Sequence, residues 1–408
     1  MKTKALNFFS AIKYQLITFV LLAGQAIYTL LSYSHFKVGK TITLYYLVDL
    51  SMLKSSRTWV GTLVSLLTDH PSWEWINGFA TVILFIAIFI TAFLVGKVIK
   101  NVENEIRPQA FIAALFLVTG SFTLHFFSRN FGFLDTHLFI IALVAVVFLN
   151  NKILRWFVPV LCVAGFFTHQ LFVTMYFPMI AFVALYLIVV QKGGRISKSA
   201  VLMLSIIVLL FVAIWVLAKG HKTSVYTPEQ MLEIIQSKIG LEYEKEIVDE
   251  MRWEYFYIPP PSAGNYSYEE VAALTLKDYI VGWLNYTNNI KGFSFDYFLA
   301  LSSATGIVFA AFSAIWIMCI RNTESKLKKF VFACFLITIL TASIGCFVNF
   351  DFERMFQAAV LCQFVFLFFM FYVKDEAFNK TMARLGAFFK DKKILLVIAF
   401  AVYNMAIL

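Results

Sequence analysis

Charge is what this sequence has least of. Asp, Glu, Lys and Arg make up only 14% of its 408 residues, against roughly 25% in soluble domains. Apolar residues make up 61%, and 46 of them are Phe. A water-soluble fold cannot hide that much apolar surface, whereas a polytopic membrane protein exposes it to lipid. Cysteine is also scarce. All five, Cys162, Cys319, Cys334, Cys346 and Cys362, fall inside apolar runs with no CxxC or Cys/His ligand spacing. They read as small packing residues, which leaves no case for a disulfide framework or a zinc site. There is no Walker loop and no GxGxxG, so no nucleotide-binding motif. An A-x-A-like cleavage site is missing after the first apolar run, near 15–31. That run is expected to stay as the first transmembrane helix rather than be removed as a signal peptide.

What is present is a series of apolar segments. Crossing a hydrocarbon core of ~30 Å takes about 20 residues. Segments of that kind fall near 14–34, 76–98, 108–127, 136–150, 154–168, 170–190, 198–218, 295–320, 329–347, 354–373 and 393–408. The expectation is an all-α polytopic bundle of about 11 spans forming one membrane domain over 1–408. As a single helix, 156–190 would run about 52 Å, too long for one crossing, so it is divided at Thr168-His169-Gln170, its only clearly polar cluster. Charge then sets the sides. With a cytoplasmic N-terminus, the predicted inner segments hold 21 of the 34 basic residues and 6 of the 24 acidic ones, as the positive-inside rule expects. The topology is N-in and C-out. The net charge of +10 follows from this lysine placement and calls for no nucleic-acid partner.

Two predicted outer segments are long, 35–75 and 219–294. The second opens on Thr227-Pro228-Glu229, with proline at the first helical position. Met231, Ile234, Ile235, Ile239, Ile247, Val248 and Met251 then recur at amphipathic spacing. Pro259-Pro260-Pro261 ends that pattern, and Ser267 with Glu270 forms a capping box before another helix. Both segments read as helices that lie on the membrane or roof a cavity.

On this topology the unusual polar residues gather at one face. Asp49 and Arg57 lie in the first outer segment. Arg129 and Asp135 lie in FSRNFGFLDTH, His169 and Gln170 at the dividing turn, and Asp351, Glu353 and Arg354 in NFDFERMFQ. Arginines on an apolar rim suit bidentate binding of a phosphate or pyrophosphate. Nearby carboxylates can serve as a general base on a sugar hydroxyl, or hold a divalent cation, the one candidate cofactor. Simpler roles exist for each residue. Asp351 and Arg354 could be a local i, i+3 ion pair capping a helix, His169 a turn histidine bonded to the backbone, Arg129 a side chain snorkelling to headgroups, and Asp49 a surface aspartate. The one-sidedness of the set favours a site.

Arg57-x-x-Val-Gly61-x-Leu, Arg129 with Asp135, His169 at a helix seam and Asp351-Phe-x-Arg354 together resemble bacterial membrane proteins of surface-polysaccharide gene clusters, the EpsG-like and Wzy-like polymerases. Long outer segments after the first and seventh helices also resemble GT-C membrane glycosyltransferases. That resemblance implies a GT-C-like fold, a bacterial inner membrane, and transfer from polyprenyl-phosphate-linked or polyprenyl-diphosphate-linked sugars at the extracytoplasmic face, with polysaccharide-assembly proteins as partners. It implies Asp49 as the base or metal ligand and Arg57, Arg129 and Arg354 on the lipid phosphate; the clustering at the same face adds Asp135 and His169 as catalytic candidates and Asp351 and Gln170 as substrate-binding ones. The competing expectations are a transporter or flippase of a lipid-linked oligosaccharide, and a non-catalytic component of an assembly complex. No internal repeat of the kind many transporters carry is evident.

Overall fold

The computed structural model describes residues 2–54, 56–120, 122–190, 202–210, 212, 223–224, 226–240, 248, 251, 295–346 and 352–405. These are helical apart from connecting turns and a two-residue antiparallel pairing of Leu53–Lys54 with Thr223–Ser224. Among the described residues, four helices are long and apolar enough to cross a membrane, at Ile12–Ser34, Trp73–Asn101, Arg107–Arg129 and Glu353–Val373, and five apolar helices are shorter. The chain is a membrane protein by that criterion. The expected seventh span, 198–218, lies largely outside the described residues, as do the triproline, the Ser267–Glu270 capping box and Asp351.

The elements used below are α1 (Lys2–Thr29), α2 (Lys40–Leu47), α3 (Trp59–Ser65), α4 (Trp73–Asn101), α5 (Arg107–Thr119), α6 (Leu124–Arg129), α7 (Asp135–Leu149), α8 (Val158–Thr168), α9 (Phe172–Met175), α10 (Phe177–Leu185), α11 (Pro228–Ile239), α12 (Phe295–Arg321), α13 (Lys326–Cys346), α14 (Phe352–Val373), α15 (Glu376–Lys390) and α16 (Lys393–Met405). Local chemistry explains many of the boundaries. Four of the eight prolines sit in the first turn of a helix, in α5, α8, α10 and α11, where the missing N–H has no intrahelical partner to lose. Thr227 and Gln230 form a reciprocal capping box on α11, and Gly240, at φ +68°, closes it. Met231 and Ile235 are the residues α11 buries. The first part of the amphipathic pattern, Met231 to Ile239, thus lies on one short helix with its apolar stripe against α2, and Ile247 falls outside the described residues. The polar break at His169 is a real helix end: α8 stops at Thr168 and the chain resumes at Phe172.

α14 is the most enclosed of the four long helices. Its neighbours α12 and α13 are tied to it by a polar knot. Trp316 Nε1 donates to Gln363 Oε1 at 2.6 Å, and Gln363 Nε2 donates to Phe335 O at 2.9 Å and Thr338 Oγ1 at 2.6 Å. Lipid offers no water to replace those bonds, so interhelical polar contacts of this kind fix helix register. At the end of the bundle where α14 meets α15, Asp375 is buried. It accepts from Lys328 Nζ at 2.7 Å and Tyr186 OH at 2.6 Å, and its other oxygen caps α15 through Phe378 N at 3.1 Å. Burial raises its carboxyl, but those donors outweigh the effect and hold it below the usual carboxylate range.

Gln363→Leu leaves the indole N–H of the fully buried Trp316 unpaired. The expected cost is about 2 kcal/mol, read as a lower melting temperature in detergent. Adding Trp316→Phe, which removes the stranded donor, should recover part of that loss; no recovery would mean that packing, not hydrogen bonding, ties the three helices.

Candidate functional site

The opposite end of the bundle holds the candidate residues. Asp135 opens α7, where a carboxylate is favoured by the exposed N–H groups and the helix dipole. Gly132, at φ +88°, makes the preceding turn possible. Its carbonyl accepts from the buried Tyr46 hydroxyl at 2.7 Å, which fixes the turn to α2. Asp135 is 1% exposed and lies 2.8 Å from Arg354 Nε on α14. The Arg354 guanidinium sits over the Phe133 ring at 5.5 Å. The partner expected from sequence proximity, Asp351, falls outside the described residues; the ion pair that the structure draws is the long-range one with Asp135.

His169 joins this pair. It is 1% exposed, at the turn after α8. Leu171 N–H donates to its Nδ1 at 3.1 Å, and Nε2 is buried with no hydrogen-bond partner among the described residues. Burial first, then the charges of Arg57 and Arg354, hold its pKa well below the usual histidine value. Arg57 arrives on the first long loop, which docks on the same turn. Ser56 Oγ donates to Gln170 Oε1 at 2.7 Å, and Thr58 N donates to Phe167 O at 3.2 Å. The Arg57 backbone is at φ +72°, in the left-handed region that side chains with a Cβ rarely adopt. Tyr176 and Gln357, both fully buried, complete the cluster: Tyr176 lies within electrostatic reach of Asp135 and Arg354 and beside Gln357.

Five of the eight predicted residues therefore converge: Arg57, Asp135, His169, Gln170 and Arg354. Asp49 does not join them. Its Oδ1 accepts from Ser51 N–H at 2.8 Å and Met52 N–H at 3.2 Å, and Oδ2 pairs with Lys238 of α11 at 2.9 Å. Burial raises the Asp49 carboxyl, and the Ser51 and Lys238 contacts bring it below the usual range. α3 stands between the two groups. Its Gly61 packs so tightly on Val48 O that any Cβ there would clash, while Thr58, capping its start, bonds to the end of α8. Arg129 also stays apart, exposed, with its guanidinium 5.9 Å from the Tyr33 ring centre. Tyr176 and Gln357 were not among the predicted residues. A glutamine inside an apolar run is the signal that points to Gln357; a tyrosine among 46 Phe residues offers none.

Below the cluster, a groove of about 140 Å³ runs between α4, α7 and α14. On α14 its walls are Leu361, Val365, Phe368 and Tyr372, spaced by three and four residues and seven on from Arg354. On α7 they are Phe139, Leu143, Val146 and Asn150, continuing the stripe that begins at Asp135. At these spacings each stripe stays on one helical face. The groove begins one turn beyond Asp135 on α7 and two turns beyond Arg354 on α14, and its α14 wall from Leu361 to Tyr372 is about 17 Å long. Among the described residues, no group of three or more His, Cys, Asp or Glu side chains could hold a metal ion. No protein-family profile, curated protein or solved structure matches the chain.

Removing either partner of the Asp135–Arg354 pair strands a buried charge, which typically costs about 3–5 kcal/mol. Asp135→Ala and Arg354→Ala are each expected to melt far below the parent. The double variant Asp135→Leu/Arg354→Met should return close to parental stability while losing function. A double variant as unstable as the singles would show that the pair does more than satisfy itself. His169 adds a pH signature. Its folded pKa is depressed, so its contribution is present above the unfolded value of about 6.5 and is lost as pH falls below it. Melting temperature should therefore drop between pH 7 and 5, and His169→Gln should flatten that drop.

Proposed function

We propose that the chain is a membrane glycosyltransferase or polysaccharide polymerase of GT-C-like architecture. In this reading it acts on polyprenyl-phosphate-linked sugars at the extracytoplasmic face of a bacterial inner membrane, with the N-terminus inside. The observation that carries the reading is one arrangement: two arginines, Arg57 and Arg354, bear on the buried His169, Asp135 pairs with Arg354, and an apolar groove begins one to two helical turns further along α7 and α14. Arginine forks match phosphoryl oxygens, and an isoprenoid chain matches the slot. Lysine-rich segments at the other end of the bundle support the outward orientation of the site.

The chemistry follows from those groups. The acceptor hydroxyl oxygen bonds to the sugar's anomeric carbon, and the bond from that carbon to the phosphate oxygen breaks. Negative charge grows on the departing lipid phosphate, where Arg57 and Arg354 stabilise it. The acceptor proton passes to a carboxylate, and Asp135 is the one the cluster supplies. Asp49, held by Lys238 and Ser51, anchors α11 to the first loop in this scheme rather than acting as the base. A second reading, carriage of a lipid-linked sugar, draws on the far end of the slot, which reaches Lys97 and Tyr372 at the opposite end of the bundle.

In the source cells, Arg57→Ala should abolish surface glycan at unchanged protein level, and Asp135→Asn should abolish it even when its expression is raised to the parental protein level. Normal glycan in both would overturn the assignment. Arg57→Gly relieves the left-handed backbone and should be more stable than Arg57→Ala by about 1 kcal/mol, yet equally inactive. Cysteine-labelling at position 97 that protects against substrate loss from inside would favour carriage.

A further inference from the structure

His169 is the natural candidate for a general base, as a buried imidazole facing two arginines, one of them paired with Asp135. The geometry points elsewhere. We infer that His169 is a fixed hydrogen-bond donor to a phosphoryl oxygen, its ring uncharged and its proton on Nε2. This rests on the phosphate reading of the site given above.

The first step concerns the tautomer. A backbone amide can only donate, so the 3.1 Å contact from Leu171 N obliges Nδ1 to present its lone pair. In the neutral ring the single proton must then be on Nε2. A base would need a second lone pair at Nε2, and no neutral form of the ring has both nitrogens bare. Accepting a proton at Nδ1 instead would break the bond to Leu171, in a turn that ends α8 and starts α9.

The second step concerns the surroundings. Nε2 is buried and has no hydrogen-bond partner among the described residues. An N–H sealed without a partner costs about 1–3 kcal/mol, so its position is stable when an acceptor arrives. The charged groups facing the ring are Arg57 from the first loop and Arg354 from α14, with Asp135 of α7 bonded to Arg354. Two guanidinium groups oppose a third positive charge on the imidazole and attract an anion. A neutral N–H donor adds a directional contact to that anion without adding charge. The ligand class is a phosphate monoester or diester held by an apolar chain in the slot.

The test uses farnesyl phosphate as the probe and farnesol as its uncharged control, with the full-length protein in lipid nanodiscs. Glutamine places an amide N–H close to the Nε2 position and cannot act as a base. His169→Gln should bind farnesyl phosphate within about threefold of wild type, and His169→Ala about tenfold more weakly, the equivalent of one hydrogen bond of ~1.4 kcal/mol. If Gln is as weak as Ala, the donor role is overturned. A second readout does not depend on how the variants fold: the ¹⁵N spectrum of histidine-labelled protein, assigned by the His169→Gln difference, should show a protonated Nε2 and a bare Nδ1 from pH 6 to 8. The opposite tautomer, or an imidazolium, overturns the inference. A wild-type protein that holds farnesol as tightly as farnesyl phosphate overturns the phosphate reading itself, and this role with it.

Discussion

The ion pair between Asp135 and Arg354 is the constraint around which this end of the molecule is organised. A carboxylate and a guanidinium that leave water each forgo several kcal/mol of solvation, and a low-dielectric surrounding makes any imperfection in their geometry expensive. The structure answers that demand from several directions. Asp135 takes the first position of α7, where the helix dipole favours a carboxylate, and Phe133 offers its ring face to Arg354. The Gly132 turn is held by Tyr46. These contacts run from α2 through the turn before α7 to α14, so the pair and its turn hold the three helices against one another. With those helices fixed, the apolar stripes below the pair must face each other, which is why a slot exists where it does.

The two ends of the bundle make an instructive contrast. Both bury an aspartate with a cation. At Asp375 the donors are all internal: Lys328, Tyr186 and the capping amide of Phe378. The arrangement is closed, and a closed polar network rigidifies. At Asp135 the network has a gap. His169 has one nitrogen bonded and the other buried without a hydrogen-bond partner among the described residues. Folding alone does not favour such a gap. The positive φ of Arg57 adds backbone strain of about 1–3 kcal/mol at the same place. Strain and an unmatched donor together are what sites that bind something tend to retain.

Much of this was legible in the sequence wherever the determining physics is local. The capping box at Thr227 and Gln230 needs only a few residues, and they are adjacent. The helix end at His169 follows from a polar cluster inside a run too long for one crossing. The gathering of Arg57, His169 and Arg354 follows from counting crossings, because an odd or even number of helices decides which turns share a face. Partners were not legible. Proximity along the chain favours Asp351 for Arg354, whereas the fold supplies Asp135 from a helix far earlier. Asp49 looked available because Lys238 lies 189 residues away, on a helix whose docking site no local pattern reveals. Tyr176 has neighbours in the sequence that are as apolar as it is, so nothing there marks its hydroxyl as part of a polar cluster.

Placement also explains why the site can be polar at all in a chain so poor in charge. At mid-depth an arginine pair would be paid for in full by the surrounding lipid; Gln363, which does lie there, is neutral and hydrogen-bonded through both its oxygen and its nitrogen. Asp135, His169 and Arg354 instead sit within the first turn of a helix or just beyond a helix end. Backbone N–H groups and loop residues such as Ser56 are within reach there, and an anionic headgroup at the membrane interface lies at the same depth. The apolar stripes start immediately below. A ligand that is charged at one end and hydrocarbon along the rest is the kind of molecule that could use both features at once, and a small soluble anion could use only the first.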